Sequence, residues 1–204
     1  MPTFGDLTPQ ASATTNIVYN SDERLNACCD ECPSSGTADN ITIYIKSHSG
    51  FSGSERVPIY CAIYEYIDES SSYAGDLLGI TETINCYYDD VGAWKTFDMD
   101  DTVNLVGGTK YYLAVGCDGT ATCAADDDYK ISLSDDLGGF FLYKAGVTSF
   151  PDPFAFDGSV GGRNLAIYCS YTESTGGGTA LGFQGDGRLN FSGGSNKLQF
   201  MTVE

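Results

Sequence analysis

The sequence predicts an all-β protein: an antiparallel β-sandwich of jelly-roll type with a C-terminal hairpin arm. Three observations carry that expectation. Apolar and polar residues alternate strictly over several short stretches, as in strands with one face in a core. Gly, Ser, Asp and Asn cluster between those stretches, where turns require them. No segment holds a 3.6-residue apolar period over three turns, so nothing supports long helices. Short strands at this spacing fit a sandwich or jelly roll rather than an α/β fold.

The elements follow in order. Residues 40–46 put Ile41, Ile43 and Ile45 on one face and Thr42, Tyr44 and Lys46 on the other. Residues 56–66 set Val57, Ile59, Cys61 and Ile63 against Pro58, Tyr60, Ala62 and Tyr64. Residues 77–88 and 94–99 read as two further strands. Residues 110–117 oppose Tyr111, Leu113 and Val115 to Tyr112, Ala114 and Gly116. Residues 129–134 carry Ile131 and Leu133, and 140–144 and 164–171 complete a main domain over 1–173. Residues 174–179, Ser-Thr-Gly-Gly-Gly-Thr, form a flexible linker by composition. Beyond it, 180–204 offers strands at 188–191 and 197–203. An isolated hairpin of that size is marginal in water. It therefore either closes the same sandwich or adds to the sheet of a neighbouring subunit.

Length and charge bound the function. A chain of 204 residues can bury a real core without staples. Its formal net charge of −18 comes from 28 acidic residues against 10 basic ones. That sign opposes phosphate neutralisation and binding to anionic membrane surfaces, so nucleic acid is not an expected partner. Twenty of the 28 acidic residues are aspartate, which favours turns and caps over helices. His48 is the one histidine, which excludes chemistry needing two or three imidazoles. No apolar run approaches the length of a membrane span.

The N-terminus, Met1-Pro2-Thr3-Phe4-Gly5-Asp6, lacks the basic and apolar regions of a secretory signal. Eight cysteines nevertheless suggest an oxidising destination. The two fit together if the protein is extracellular or on a virion surface, released by a route such as lysis. The cysteines are Cys28, Cys29, Cys32, Cys61, Cys86, Cys117, Cys123 and Cys169, all candidates for disulfides. Cys117 and Cys123 flank a short loop whose ends must meet if two strands pair there. Cys28, Cys29 and Cys32 are expected in a loop, reaching partners elsewhere; Cys61, Cys86 and Cys169 fall in strands. A zinc ribbon would need a second C-x-x-C pair, which is missing, and free buried thiols are the remaining alternative to bridges.

Three constellations could carry chemistry. Acidic clusters fall in or beside loops, and Asp126, Asp127 and Asp128 are the set best suited to calcium, the one cofactor these loops would take. The bland alternative is a solvated acidic surface. Glu65 and Glu82, on strands, are the only pair resembling a glycosidase acid and base, but strand carboxylates usually face outward. Tyr87, Tyr88 and Trp94 surround Asp89 and Asp90, an arrangement that could stack and hydrogen-bond a glycan. Against that, a lone Trp in a sandwich is usually a core anchor. His48 reads as an exposed turn residue. No nucleophile elbow, P-loop or dinucleotide fingerprint occurs.

Four segments in order carry a resemblance: Pro58-Ile59-Tyr60-Cys61-Ala62-Ile63-Tyr64, Gly75-Asp76-Leu77-Leu78-Gly79, Trp94-Lys95-Thr96-Phe97, and the run from Val103 through Gly107-Gly108-Thr109-Lys110-Tyr111-Tyr112 to Val115. Together they resemble a jelly-roll-type β-sandwich module of virus-particle proteins, fibres and microbial surface proteins. The match covers about residues 57–116 and departs at Tyr112, where Trp is common, and in the many cysteines. The resemblance implies non-catalytic display or adhesion. The expected function is therefore a structural or surface-display subunit of a virion or extracellular assembly, stabilised by disulfides. Residues 180–204 would contact self or other subunits. The alternative is a carbohydrate-binding module assisted by calcium.

Overall fold

The computed structural model describes residues 1–19, 22–49, 56–67, 74–118, 128–134, 140–161, 164–174, 182–183 and 189–190. Sixteen strands run through them: β1 (Thr3–Gly5), β2 (Pro9–Tyr19), β3 (Asp22–Cys32), β4 (Gly36–Ser49), β5 (Val57–Glu65), β6 (Leu77–Ile80), β7 (Ile84–Cys86), β8 (Ala93–Asp98), β9 (Asn104–Leu105), β10 (Thr109–Cys117), β11 (Asp128–Ser134), β12 (Phe140–Ala145), β13 (Gly158–Gly161), β14 (Ile167–Glu173), β15 (Gly182–Phe183) and β16 (Leu189–Asn190). A single 3₁₀ turn, Tyr88–Asp90, is the helical element among the described residues. The chain divides into two compact units, Met1–Glu173 and Ser174–Glu204.

The larger unit is an antiparallel β-sandwich. In its first layer β4 is the hub. One edge of β4 takes β14 along Gly36–Ile43 and β11 along Ile45–Ser49. The other edge takes β9 and β8, with Tyr44 opposite Trp94 and Ile43 opposite Lys95. β1 extends this layer beyond β14, and β2 extends it beyond β11. The second layer runs β13-β12-β3-β10-β5-β6, with β7 also on β5. A two-pair ladder, Val18 with Glu23 and Tyr19 with Asp22, joins the layers where β2 turns into β3.

The core between the layers follows from the pleat. Ile41, Ile43 and Ile45 of β4 are fully buried there, with Phe97, Ile131, Ile167, Cys169 and Tyr171 of the same layer. Val57, Ile59, Cys61 and Ile63 of β5 and Leu113, Val115 and Cys117 of β10 face them from the second layer. The alternation expected of 40–46 and 110–117 is thus present, with side chains of period two facing one core.

The second layer departs from simple alternation, because its outer face is buried as well. Tyr60, Ala62, Tyr64, Tyr112 and Ala114 form a second cluster with Phe150 and Phe154 from the segment after β12. That segment leaves β12 through Gly146, at φ +66°, and crosses the sheet. The Tyr64 hydroxyl donates to the Pro151 carbonyl at 2.9 Å, and Ala74 N–H donates to the Phe154 carbonyl at 2.9 Å. Phe154 stacks on Tyr64 at 5.5 Å and meets Phe156 edge-on at 4.4 Å. A flap of aromatic residues thus covers what would otherwise be a wet sheet face.

Several expectations are corrected. Cys28, Cys29 and Cys32 lie on β3, not in a loop; β3 pairs with β10 throughout that stretch, Cys28 opposite Leu113 and Cys32 opposite Thr109. The span 77–88 is two short strands separated at Thr81, whose hydroxyl accepts the Cys61 N–H at 2.9 Å and so interrupts the ladder. His48 lies within β4, opposite Tyr129, because β11 continues the pairing to Ser49.

Phe154 is fully buried under the flap. Replacing it with Ala should cost about 3–5 kcal/mol, the usual loss for a buried Phe. The Val160→Ala change at a 41% exposed site should cost under about 0.5 kcal/mol. Urea unfolding of both variants checks the difference; equal costs would mean the flap is not packed.

Candidate functional site

The outer face of the first layer carries the most distinctive surface. With isoleucines 41, 43 and 45 turned inward, Asn40, Thr42 and Tyr44 point outward. Their partners on β8 are Asp98, Thr96 and Trp94, so three cross-strand pairs share one face. Trp94 therefore stands outside the core, partly buried, and does not anchor it. It meets Tyr44 edge-on at 5.3 Å and Tyr168 of β14 at 5.3 Å. The Tyr44 hydroxyl donates to the Gly92 carbonyl at 2.9 Å, and Lys46 Nζ lies 5.9 Å from the Tyr44 ring centre. Thr42 and Thr96 share a hydroxyl hydrogen bond of 2.9 Å beside the rings. Each such cross-strand contact is worth about 0.2–1 kcal/mol, enough to hold the rings in place.

The aromatic cluster expected at Tyr87, Tyr88 and Trp94 is distributed differently. Tyr87 is 42% exposed at the 3₁₀ corner, where its N–H donates to Asp90 Oδ2 at 2.8 Å. The side chain of Tyr88 lies outside the described residues. Asp90 is engaged by Lys95 in a 2.9 Å ion pair, and that hydrogen bond raises the Lys95 ammonium above its ordinary value. The ring partners of Trp94 are Tyr44 and Tyr168, which the linear neighbourhood of Trp94 does not reveal. Tyr44 could have been found from its outward place in the 40–46 alternation; Tyr168 needed the β14 pairing.

The cysteines line the inter-layer core. Cys28, Cys32, Cys61, Cys86 and Cys169 are buried and carry free thiols. Cys32 donates to the Ser34 carbonyl at 3.1 Å and Cys169 to the Ser170 carbonyl at 3.4 Å. Cys117 is buried in the same core, Cys29 is on the opposite face of β3, and Cys123 lies outside the described residues. The structure thus leaves five of the expected bridge partners as thiols. Burial pushes Cys86 from its ordinary 9.0 to about 12, with the nearby Asp90 charge adding to it. Burial likewise pushes Cys28, Cys61 and Cys169 upward, and it raises Tyr60 to about 12.

The acidic sites are spread over loops and strand ends. Asp126 and Asp127 and the side chain of Asp128 lie outside the described residues. Among the described residues no group of three or more His, Cys, Asp or Glu side chains is placed to hold a metal. Asp98, Asp100 and Asp101 are exposed, and Asp101 Oδ2 accepts the Ile80 N–H at 3.0 Å. Glu65 is exposed at the end of β5, whereas the Glu82 carboxylate accepts the Asp98 N–H at 3.4 Å. Asp101 and Glu82 thus cap backbone N–H groups, the ordinary work of carboxylates near turns. No helix among the described residues is long and apolar enough to cross a membrane. Compared with known proteins, the chain matches no family model and no curated sequence.

Two outcomes follow from the thiol core. A thiol whose folded value lies above its ordinary value holds its proton more tightly in the native state. Its stabilising contribution is complete below about pH 9 and is lost as pH rises towards the folded value, by up to about 1.4 kcal/mol per pH unit for each group. Urea midpoints should hold steady from neutral pH to about pH 8.5 and fall above it; a flat profile to about pH 10 contradicts the buried thiols. Alkylation of native protein should spare Cys28, Cys61, Cys86 and Cys169, and alkylation in denaturant without reductant should label all four by mass spectrometry. Failure to label them in denaturant would mean they are bridged.

Proposed function

We propose that the chain is a non-catalytic structural or surface-display protein, a subunit of a virion or of an extracellular assembly. One observation carries this reading. The smaller unit, Ser174–Glu204, has its own two-stranded sheet, with Gly182 opposite Asn190 and Phe183 opposite Leu189. A hairpin of two-residue strands buries too little surface to stand alone in water. It needs a surface to lie on, and a neighbouring subunit offers one at a sheet edge.

Other features agree. The second layer is buried on both faces, a packing that suits a structural module. The charge of −18 keeps copies soluble and away from nucleic acid. The resemblance of residues 57–116 to modules of virus particles and microbial surfaces points to the same class of role.

Removing residues 180–204 tests the reading. The full chain should run as an oligomer in light scattering, and the truncated chain should run as a monomer with an unchanged melting temperature. An unchanged number of subunits after truncation overturns the assembly role. A lowered melting temperature at an unchanged number of subunits would mean the hairpin serves its own sandwich.

A further inference from the structure

We infer that the outer face of β4, β8 and β14 is a binding site for a neutral pyranose oligosaccharide, with Trp94 as its stacking ring and Tyr44 and Tyr168 set at steep angles on either side of it. Tyr44 with Trp94, Thr42 with Thr96, and Asn40 with Asp98 are successive pairs on one face. At about 3.4 Å per residue the row extends about 13 Å, more than one sugar ring occupies. It begins with aromatic rings, continues with the exposed Thr96 hydroxyl beside the buried Thr42, and ends with an amide and a carboxylate. A pyranose has the same two characters: apolar C–H faces that pack on rings and equatorial hydroxyls that hydrogen-bond at the rim.

The platform is preorganised. Trp94 is held between Tyr44 and Tyr168 at 5.3 Å from each, Tyr44 is tied to Gly92, and Lys46 lies at 5.9 Å from the Tyr44 ring centre. Fixing the rings before binding lowers the ordering cost of a weak ligand. Tyr168 is fixed from the other side by close backbone packing. Its β1 partner is Gly5, at φ +108°, where an added Cβ would collide with the Ile167 carbonyl and come within 2.7 Å of the Tyr168 Cα.

Charge selects the ligand class. With 28 acidic residues against 10 basic ones, and Asp98 exposed on the row itself, an acidic sugar would be repelled. A neutral chain meets no such penalty and finds acceptors for its hydroxyl protons in Asp98, Thr96 and Asn40. A second copy of this acidic chain would bring like charge to the same face.

Trp94 is the only tryptophan, so its emission reports on this face directly. The experiment titrates the 204-residue protein with cellohexaose, chitohexaose, mannohexaose and xylohexaose at millimolar concentration, and with an alginate hexamer as the acidic control. The inference expects a saturable change in emission with at least one neutral hexamer and none with alginate. Tyr168→Ala should weaken that binding up to about tenfold, and so should Thr96→Val through the hydrogen-bonding row, with far-ultraviolet dichroism and melting temperature unchanged. No response to any neutral hexamer overturns the inference, as does a preference for alginate. Emission that depends on protein concentration without sugar would also overturn it, because the face would then be covered by a second copy. A Trp94→Phe variant, followed by calorimetry with the responding hexamer, separates loss of stacking from loss of fold. Truncation at residue 180 should leave the binding intact, which keeps this outcome separate from the assembly reading.

Discussion

The pleat of β4 is the constraint on which the rest of the sandwich depends. Its side chains alternate with a period of two, so a single register decides both faces at once. With Ile41, Ile43 and Ile45 inward, the core receives three β-branched residues that suit a half-buried strand. The same register sends Thr42 and Tyr44 outward and sets Trp94 beside Tyr44. A slip of one residue would put the rings into the core and the isoleucines into water. At roughly 1.5–3 kcal/mol for each buried isoleucine, that alternative is closed. β4 also bears β14, β11, β8 and β9, so its register is passed on to much of the first layer.

Much of this was legible in the sequence, and the gaps have physical causes. The strands at 40–46, 56–66 and 110–117 stand out because one face is apolar in each. β2 and β3 escaped because their residues look like turn material. Ala11, Ser12 and Thr14 in β2 and Asp22, Glu23 and Asp30 in β3 give little apolar contrast. Their strand form comes from pairing, with β11 and with β10 and β12, which no local pattern announces. Burial of Tyr60 and Tyr64 was hidden for a similar reason. Those residues alternate as though facing water, and the cover over them arrives from Phe150 and Phe154, about ninety positions along the chain.

The cysteines and the charge separate cleanly in space. Six cysteine side chains lie in the layer between the sheets, behaving as small apolar groups with weak donors. Asp98, Asp100 and Asp101 remain exposed near strand ends, where Asp101 accepts the Ile80 N–H. Composition alone suggested a bridged framework and acidic loops; the loops are visible at these positions, and the thiols contribute packing. The result is a sandwich with apolar side chains and buried thiols between its sheets and exposed carboxylates outside.

Collisional quenching of Trp94 in the native protein tests the account most directly, because the tryptophan reports on which way the pleat of β4 points. Acrylamide and iodide should reach Trp94 in the folded state, quenching should be weaker than in denaturant because the ring is partly covered, and Tyr44→Ala should increase it. A native emission that neither quencher affects would put Trp94 in the core, and the register of β4, the aromatic face and the sugar site would fall together.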